Sequence, residues 1–181
     1  PVRPVEQGGM HTFHRYLIQF LKDRFIPVTH DLTDDFDLLF VNSWNTPAHK
    51  ILRAKRRFRR LVVVHRIDGS AKAYGRKGPW DQRMARANSH ADGTIYQSYF
   101  SRSITSSFMA TSESEGSIIY NPVNTSLFVP SREKESATTG RTSRAVVSFS
   151  ANALKGGPEV WRLAVAYPHV VFNLFGHFPN L

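Results

Sequence analysis

Short apolar runs alternate with helix-like stretches along most of this chain, and this alternation constrains the fold more than any other feature of the sequence. Runs with strand character occupy residues 26–28, 36–41, 61–65, 93–96 and 118–120. Helical spacing of apolar residues occupies residues 10–22, 81–88 and 99–108, and Thr46-Pro47 is typical of a further helix start. Strands that alternate with helices in this way predict a parallel sheet with helices on both faces. We therefore expect an α/β domain over residues 1–125.

The composition changes in the second half of the chain. Residues 130–144 contain many Ser, Thr and charged residues and no large apolar side chain, which predicts a surface linker. A strand, a helix and a second strand are then predicted at residues 145–149, 158–166 and 170–175. We expect a crossing segment and linker over residues 126–144, followed by one partial α/β unit over residues 145–181.

The absence of cysteine and of long apolar runs excludes several classes of protein. The chain has 181 residues, a formal net charge of +10 and no cysteine. The absence of cysteine excludes disulfide frameworks, zinc–thiolate sites and thiol nucleophiles, and it fits a reducing compartment. The sequence contains no run of 18 apolar residues and no signal-peptide pattern at its start. We expect a cytoplasmic protein whose attachment to a membrane, if any, is peripheral.

A histidine, an arginine and a carboxylate follow the apolar run that ends at Val64. His65 and Arg66 can bond a hydroxyl-rich ligand and a phosphate, and Asp68 can accept a hydrogen bond from a sugar hydroxyl. Parallel sheets bind ligands beyond the carboxyl ends of their strands, so the position favours a binding site. The alternative is structural, because Asp68-Gly69 is a strong turn dipeptide and a histidine at a strand end often supports the fold.

Glycines precede two of the predicted helices. Gly8-Gly9 lets the backbone approach a ligand, and the free N–H groups of a helix start can receive an anion. Lys155, followed by two glycines and Pro158, has the composition of a phosphate grip. The alternatives are an ordinary flexible turn for Gly8-Gly9 and an exposed loop lysine for Lys155.

The segment 49–60, HKILRAKRRFRR, is strongly basic around a thin apolar set. It predicts contact with an anionic membrane surface or another polyanion, and the alternative is a solvated helix face. We do not expect nucleic acid as the partner, because aromatic residues do not alternate with the basic ones as stacking platforms would. The basic residues are Lys50, Arg53, Lys55, Arg56, Arg57, Arg59 and Arg60.

Taken in order, five segments resemble the retaining, nucleotide-sugar-dependent glycosyltransferases of GT-B fold, in particular family 4. The resemblance spans nearly the whole chain, and it depends on the order and spacing of the segments. These are Gly8-Gly9, VVVHRIDG at 62–69, ARANSHADGTIYQSYFSRS at 85–103, IIYNPVNTSLFVP at 118–130 and VSFSANALKGG at 147–157.

The resemblance implies a Rossmann-like N-terminal domain that binds the acceptor, followed by the truncated start of a donor-binding domain. In that family the glycine loop approaches the transferred group, which corresponds to Gly8 and Gly9 here. The histidine after the fourth strand contacts the donor sugar, which implies a catalytic role for His65. Lys155 looks like the lysine that grips the donor pyrophosphate, and Ser150 stands where the family usually has an arginine.

We therefore expect transfer of a sugar from a nucleotide-sugar donor to a glycan or lipid-linked acceptor. No metal or other cofactor is expected, since cationic side chains and helix starts can hold the departing diphosphate. The alternative is a non-catalytic module, derived from such a transferase, that binds glycans or polyanions. The candidate residues are His65 for catalysis and Gly8, Gly9, Arg66, Asp68 and Lys155 for substrate or donor binding.

Overall fold

A computed structural model describes residues 9–109, 116–126, 129, 144–148 and 157–175. Gly8, Lys155, Ser150 and residues 130–143 of the predicted linker lie outside these ranges. The chain divides into two compact units, residues 1–123 and 124–181.

A four-stranded parallel sheet forms the centre of the first unit. Every strand pairs with the strand that follows it in the chain, so the spatial order is β1-β2-β3-β4. Parallel neighbours need a crossover connection, which here contains a helix in each case. The predicted Rossmann-like α/β fold is thus confirmed. The strands are β1 Leu38–Asn42, β2 Val62–Ile67, β3 Gly93–Tyr96 and β4 Ser117–Ile118.

Four helices lie within the described residues of this unit, and local chemistry explains where two of them begin. α2 begins after Pro47, whose extended backbone precedes the first helical residue. α4 begins at a capping serine, because the Ser98 hydroxyl accepts a hydrogen bond from the backbone N–H of Ser101 at 3.0 Å. The helices are α1 Gly9–Lys22, α2 Ala48–Arg57, α3 Trp80–Asn88 and α4 Tyr99–Ser106.

One face of the sheet packs against α2 and α3. Alternate residues of β1 and β2, such as Val41 and Val63, are fully buried together with Ile51 of α2 and Ala87 of α3. A second apolar cluster continues this core toward β3 and contains Ile67, Met84, Tyr96 and Met109. Burial of these side chains accounts for most of the apolar core of the unit.

The opposite face of the sheet packs against α1. Phe13 of α1 stacks on Phe40 of β1, with ring centroids 6.1 Å apart and an interplanar angle of 27°. His14 meets the same ring edge-on. Phe40 precedes Val41, and successive side chains of a strand point to opposite faces. Helices therefore lie on both faces of the sheet, as the alternation predicts.

The strand predicted at residues 26–28 is wrong. These residues belong to the loop that follows α1, and a turn at Phe25 explains the difference. Phe25 has a left-handed φ of 58°, its N–H bonds the Lys22 carbonyl, and the Ile26 N–H bonds the Leu21 carbonyl. This pair of hydrogen bonds is the Schellman arrangement that ends helices, and it takes the backbone of Ile26 away from strand pairing.

The second unit contains a strand, a helix and a strand, in the order that the sequence predicts. β5 Arg144–Ser148 and β6 Val171–Phe175 pair in parallel, and α5 Gly157–Ala166 connects them. Among the helices described in both units, none is long and apolar enough to cross a membrane.

Candidate functional site

A buried arginine gathers polar side chains from the carboxyl ends of all four strands of the first unit. The Arg66 Nη1 atom donates to Asn42 Oδ1 at 2.7 Å and to the carboxylate of Asp68. Its Nη2 atom donates to Gln97 Oε1 at 2.9 Å and to Asn121 Oδ1 at 2.6 Å. We call these five residues the Arg66 cluster.

The sheet topology explains why the members of the Arg66 cluster meet. Asn42 ends β1, Asp68 and Gln97 closely follow β2 and β3, and Asn121 follows β4. Because parallel strands end at the same edge of a sheet, the polar residue after each apolar run arrives beside its neighbours. Two further hydrogen bonds close the network, from Asn42 Nδ2 to Asp68 Oδ2 at 3.1 Å and from Asn121 Nδ2 to Gln97 Oε1 at 3.2 Å.

The electrostatics of the Arg66 cluster differ from those of a phosphate-binding arginine. Arg66 is only 3% exposed, and burial lowers its pKa to about 10, so the guanidinium still carries its charge at neutral pH. Asp68 balances that charge as an ion pair. A guanidinium has five N–H donors. Both terminal nitrogens of Arg66 already donate to protein oxygens. The guanidinium therefore has no pair of terminal N–H groups free to bind a phosphate.

An aromatic ring lies beneath the guanidinium. The Arg66 Cζ atom is 4.1 Å from the centroid of Phe13, a distance at which a cation and a ring attract. Gly9, the first residue of α1, lies one helical turn before Phe13. The N-terminal end of α1 therefore lies at the same sheet edge as the Arg66 cluster, with Gly9 toward that edge.

The solvent-facing rim of the Arg66 cluster is polar but not charged overall. Asn121 is exposed, Gln97 is half-buried and the Asp68 side chain is 26% exposed. The rim thus presents amide groups and one carboxylate whose charge Arg66 cancels. Such a mixture of donors and acceptors suits the hydroxyl groups of a neutral ligand.

His65 points away from the Arg66 cluster, into the core on the opposite face of the sheet. Its side chain is fully buried, and its Nε2 atom donates to the Ser43 carbonyl at 2.8 Å. Since a carbonyl can only accept, Nδ1 of the neutral ring accepts from Asn88 Nδ2 at 3.2 Å. Burial lowers the pKa of His65 to about 4. The structure therefore brings Arg66 and Asp68 together, and it places the His65 ring between the end of β1 and α3.

Ser43 connects the two faces at the end of β1. It adopts a left-handed φ of 46°, which is uncommon outside glycine. Its backbone N–H donates to the Arg66 carbonyl at 2.8 Å, and its hydroxyl accepts from the Asp68 N–H at 3.2 Å. Backbone strain of this kind persists where the surrounding contacts enforce it, often near functional sites.

Four residues of this region are not among the predicted site residues, namely Asn42, Ser43, Gln97 and Asn121. A signal for them exists, because each follows or ends an apolar strand run with a polar side chain. The sequence predicts His65, Arg66 and Asp68 as site residues here, because three polar residue types meet at the end of one strand.

A cleft lies beside the loop that follows Asp68. Asp81 holds this loop, because its carboxylate accepts from the Ser70 hydroxyl at 2.7 Å and from the backbone N–H groups of Ala71 and Lys72 at 2.6 and 3.1 Å. The cleft has a volume of about 310 Å³. Its lining is formed by Ser70, Lys72, Ala73, Asp81, Gln82, Ile104, Ser107 and Phe108.

Most of the basic segment is exposed. Lys55 is the exception, since its Nζ atom pairs with Asp92 Oδ1 at 2.7 Å. α2 starts after the carboxyl end of β1 and returns to the start of β2, so its C-terminal end lies at the sheet edge opposite the Arg66 cluster. The exposed members of the predicted set are Lys50, Arg53, Arg56, Arg57, Arg59 and Arg60.

Within the described ranges, no three histidine or acidic side chains lie together so that they could hold a metal ion. A scan of the chain against protein-family models finds no match, and a search of curated proteins finds none either.

Proposed function

We propose that this chain is a nucleotide-sugar-dependent glycosyltransferase, or a part of one, that transfers a sugar to a glycan or lipid-linked acceptor. The observation that carries the proposal is the Arg66 cluster, in which side chains from four strand ends converge at the ligand-binding edge of a parallel sheet. The order of the segments that resemble family 4 glycosyltransferases supports the class of donor.

In this proposal Arg66 positions other groups and does not bind the diphosphate. Its N–H groups donate to oxygens of Asp68, Gln97 and Asn121, and these hydrogen bonds hold the three side chains in fixed positions at the rim. The balanced charge of the cluster favours sugar hydroxyls over phosphate as its ligand. We therefore assign the recognition of sugar hydroxyls to Asp68, Gln97 and Asn121.

The donor diphosphate needs positive potential elsewhere. In transfer, the acceptor oxygen bonds to the anomeric carbon, the bond from that carbon to the diphosphate breaks, and the acceptor proton leaves with the diphosphate or another base. We assign the stabilisation of the leaving charge to the helix start at Gly8-Gly9 and to Lys155, as the resemblance implies. His65 then acts as a positioning residue, because its ring holds Ser43 and Asn88 from the buried face. Its catalytic role stays a prediction.

The first test measures binding of a panel of nucleotide sugars and of the matching nucleoside diphosphates to wild type and to Asn121→Ala. We choose Asn121 because it is exposed, so the variant can fold. Loss of one hydrogen bond should weaken the binding of a nucleotide sugar by about 3- to 10-fold. The affinity for the nucleoside diphosphate should stay unchanged, since no sugar is present.

Asn124→Ala serves as the matched control, because Asn124 is also an asparagine that follows β4 but forms no part of the Arg66 cluster. The control should bind every ligand as wild type does. A wild-type protein that binds none of the nucleotide sugars, or an Asn121→Ala variant with unchanged affinity for all of them, contradicts the proposed site.

A second candidate function, a non-catalytic module for glycans or polyanions, is favoured by the exposed cations of α2. Incubation with nucleotide sugar and acceptor separates the two functions. A transferase releases nucleoside diphosphate and forms a glycosidic product, whereas a binding module retains both ligands unchanged.

A further inference from the structure

α2 and α3 lie side by side on the sheet, and their outer surfaces are both cationic. The inner surfaces of the helices carry the buried residues Ile51, Ala54, Met84 and Ala87. The exposed side chains of the two helices are all basic or neutral polar. We call the following six exposed residues the cationic layer: Lys50, Arg53, Arg56 and Arg57 of α2 and Arg83 and Arg86 of α3.

The chain does little to neutralise the cationic layer. The segment 48–60 contains no acidic residue. Asp81 of α3 accepts hydrogen bonds from Ser70 and Ala71 in the loop that precedes this helix, and Asp92 pairs with Lys55 and with the Val63 N–H. Within the part of the chain that the structure describes, no salt bridge joins any of the six residues. Arg57 interacts electrostatically with the carboxylate of Asp31 in the loop after α1. The charge of the remaining members makes the outer surface of the two helices strongly cationic.

Two tryptophans adjoin the cationic layer near the start of α3. Trp44 and Trp80 are both half-buried, with ring centroids 6.2 Å apart. The guanidinium of Arg76 lies over the Trp44 ring at 5.4 Å, and that of Arg83 lies over the Trp80 ring at 4.9 Å. Tryptophans next to basic residues are typical of surfaces at the boundary between water and lipid headgroups.

We propose that the cationic layer, together with Trp44 and Trp80, docks on an anionic lipid bilayer. Each basic residue near an anionic leaflet contributes about 1 kcal/mol, so several weak contacts add to a stable attachment. A bilayer fits better than nucleic acid, because guanidinium groups already cover the two indole rings on which bases would stack. This docking surface does not depend on the proposed transferase activity.

The test measures sedimentation of the full chain with vesicles of phosphatidylcholine alone and of phosphatidylcholine mixed with phosphatidylserine. Wild type should bind the mixed vesicles, and the binding should weaken as salt is added. The double variant Arg53→Gln with Arg86→Gln removes two exposed cations from the layer without touching its buried face. Its partition into mixed vesicles should fall about 30-fold, the factor that two such contacts supply.

The control variant, Arg15→Gln with Lys22→Gln, removes two exposed cations from α1 on the other face of the sheet. Both variants lower the formal net charge by the same amount, from +10 to +8. The control should keep most of the binding to mixed vesicles. Equal losses in the two variants would show that net charge alone drives attachment and would overturn the proposal.

Two other outcomes also overturn it. One is equal binding to neutral and anionic vesicles. The other is tight, Arg53- and Arg86-dependent binding of single-stranded RNA together with no binding to mixed vesicles, which would assign the surface to nucleic acid. Quenching of tryptophan emission by bromine-labelled lipid, lost when Trp44 and Trp80 are both replaced by Phe, would support the bilayer.

Discussion

Arg66 remains charged at 3% exposure because protein oxygens replace the water that it lost. A buried charge is costly unless it is paired and hydrogen-bonded, and here Asp68 supplies the pair while Asn42, Gln97 and Asn121 supply amide oxygens. The same contacts fix those side chains. At the scale of single residues, the hydrogen bonds of one buried guanidinium therefore position the other side chains of the candidate site.

The lowered pKa of His65 predicts that the free energy of unfolding decreases in acid. The folded state lowers its pKa from 6.5 to about 4, whereas the unfolded chain binds a proton near pH 6.5. As the pH falls through this window, the unfolded chain holds more protons than the folded chain does, so the free energy of unfolding decreases. We expect His65 to account for a loss of about 3 kcal/mol between pH 6.5 and pH 4.

Urea unfolding at a series of pH values measures this effect in wild type and in His65→Gln. The variant should be less stable at pH 7, because glutamine replaces a buried imidazole ring that packs and hydrogen-bonds in the core. Below pH 6.5, its free energy of unfolding should depend less steeply on pH than that of wild type. His49→Gln, which replaces an exposed histidine of α2, is the control and should follow wild type. Parallel pH profiles for wild type and His65→Gln would show that His65 titrates normally.

The ends of the helices and strands, more than their middles, decide how the elements of the first unit are placed. The left-handed Phe25 closes the turn after α1, α4 begins after the Ser98 cap, and the left-handed Ser43 directly follows β1. The position of β4 beside β3 likewise depends on Gly116, the residue directly before β4. Gly116 has a φ of 90°, and it lies against the backbone and side chain of β3.

Gly116→Ala should destabilise the protein, because a Cβ atom at this position would lie 2.8 Å from the Tyr96 ring and 2.9 Å from the Thr94 carbonyl oxygen. The left-handed backbone adds strain, and together we expect a loss of about 1–3 kcal/mol in the free energy of unfolding. Gly93→Ala is the matched control, since nothing lies within 4 Å of its added Cβ atom. Thermal or urea unfolding compares the two. An equal effect at both positions would contradict the close approach at Gly116.

At the scale of the whole molecule, both buried apolar clusters and the whole Arg66 cluster are formed by residues before Asn124. A unit with its own core is expected to fold alone. We expect a fragment of residues 1–123 to unfold cooperatively in urea and to keep the near-ultraviolet circular dichroism of its packed aromatic rings. A fragment with helical signal but no cooperative transition would show that its core needs the rest of the chain.

The sequence by itself determined the type and approximate position of most elements, because hydrophobic periodicity and helix-start residues act locally. The predicted strand at residues 93–96 coincides with β3, and the helix predicted at residues 10–22 differs from α1 by one residue. The position of Arg66 and Asp68 at a strand end also follows from local pattern. The error at residues 26–28 arose because no glycine marks the left-handed turn at Phe25.

Only the tertiary structure decided which residues share the site. The Arg66 cluster needs the strand order β1-β2-β3-β4, which places Asn42, Gln97 and Asn121 around one guanidinium from positions far apart in the chain. His65 and Arg66 are adjacent and so point to opposite faces, but the packing of α3 and α1 decided that the histidine is buried and that the arginine lies over Phe13. Contacts of this kind join distant segments, and a local pattern carries no information about which segments will meet.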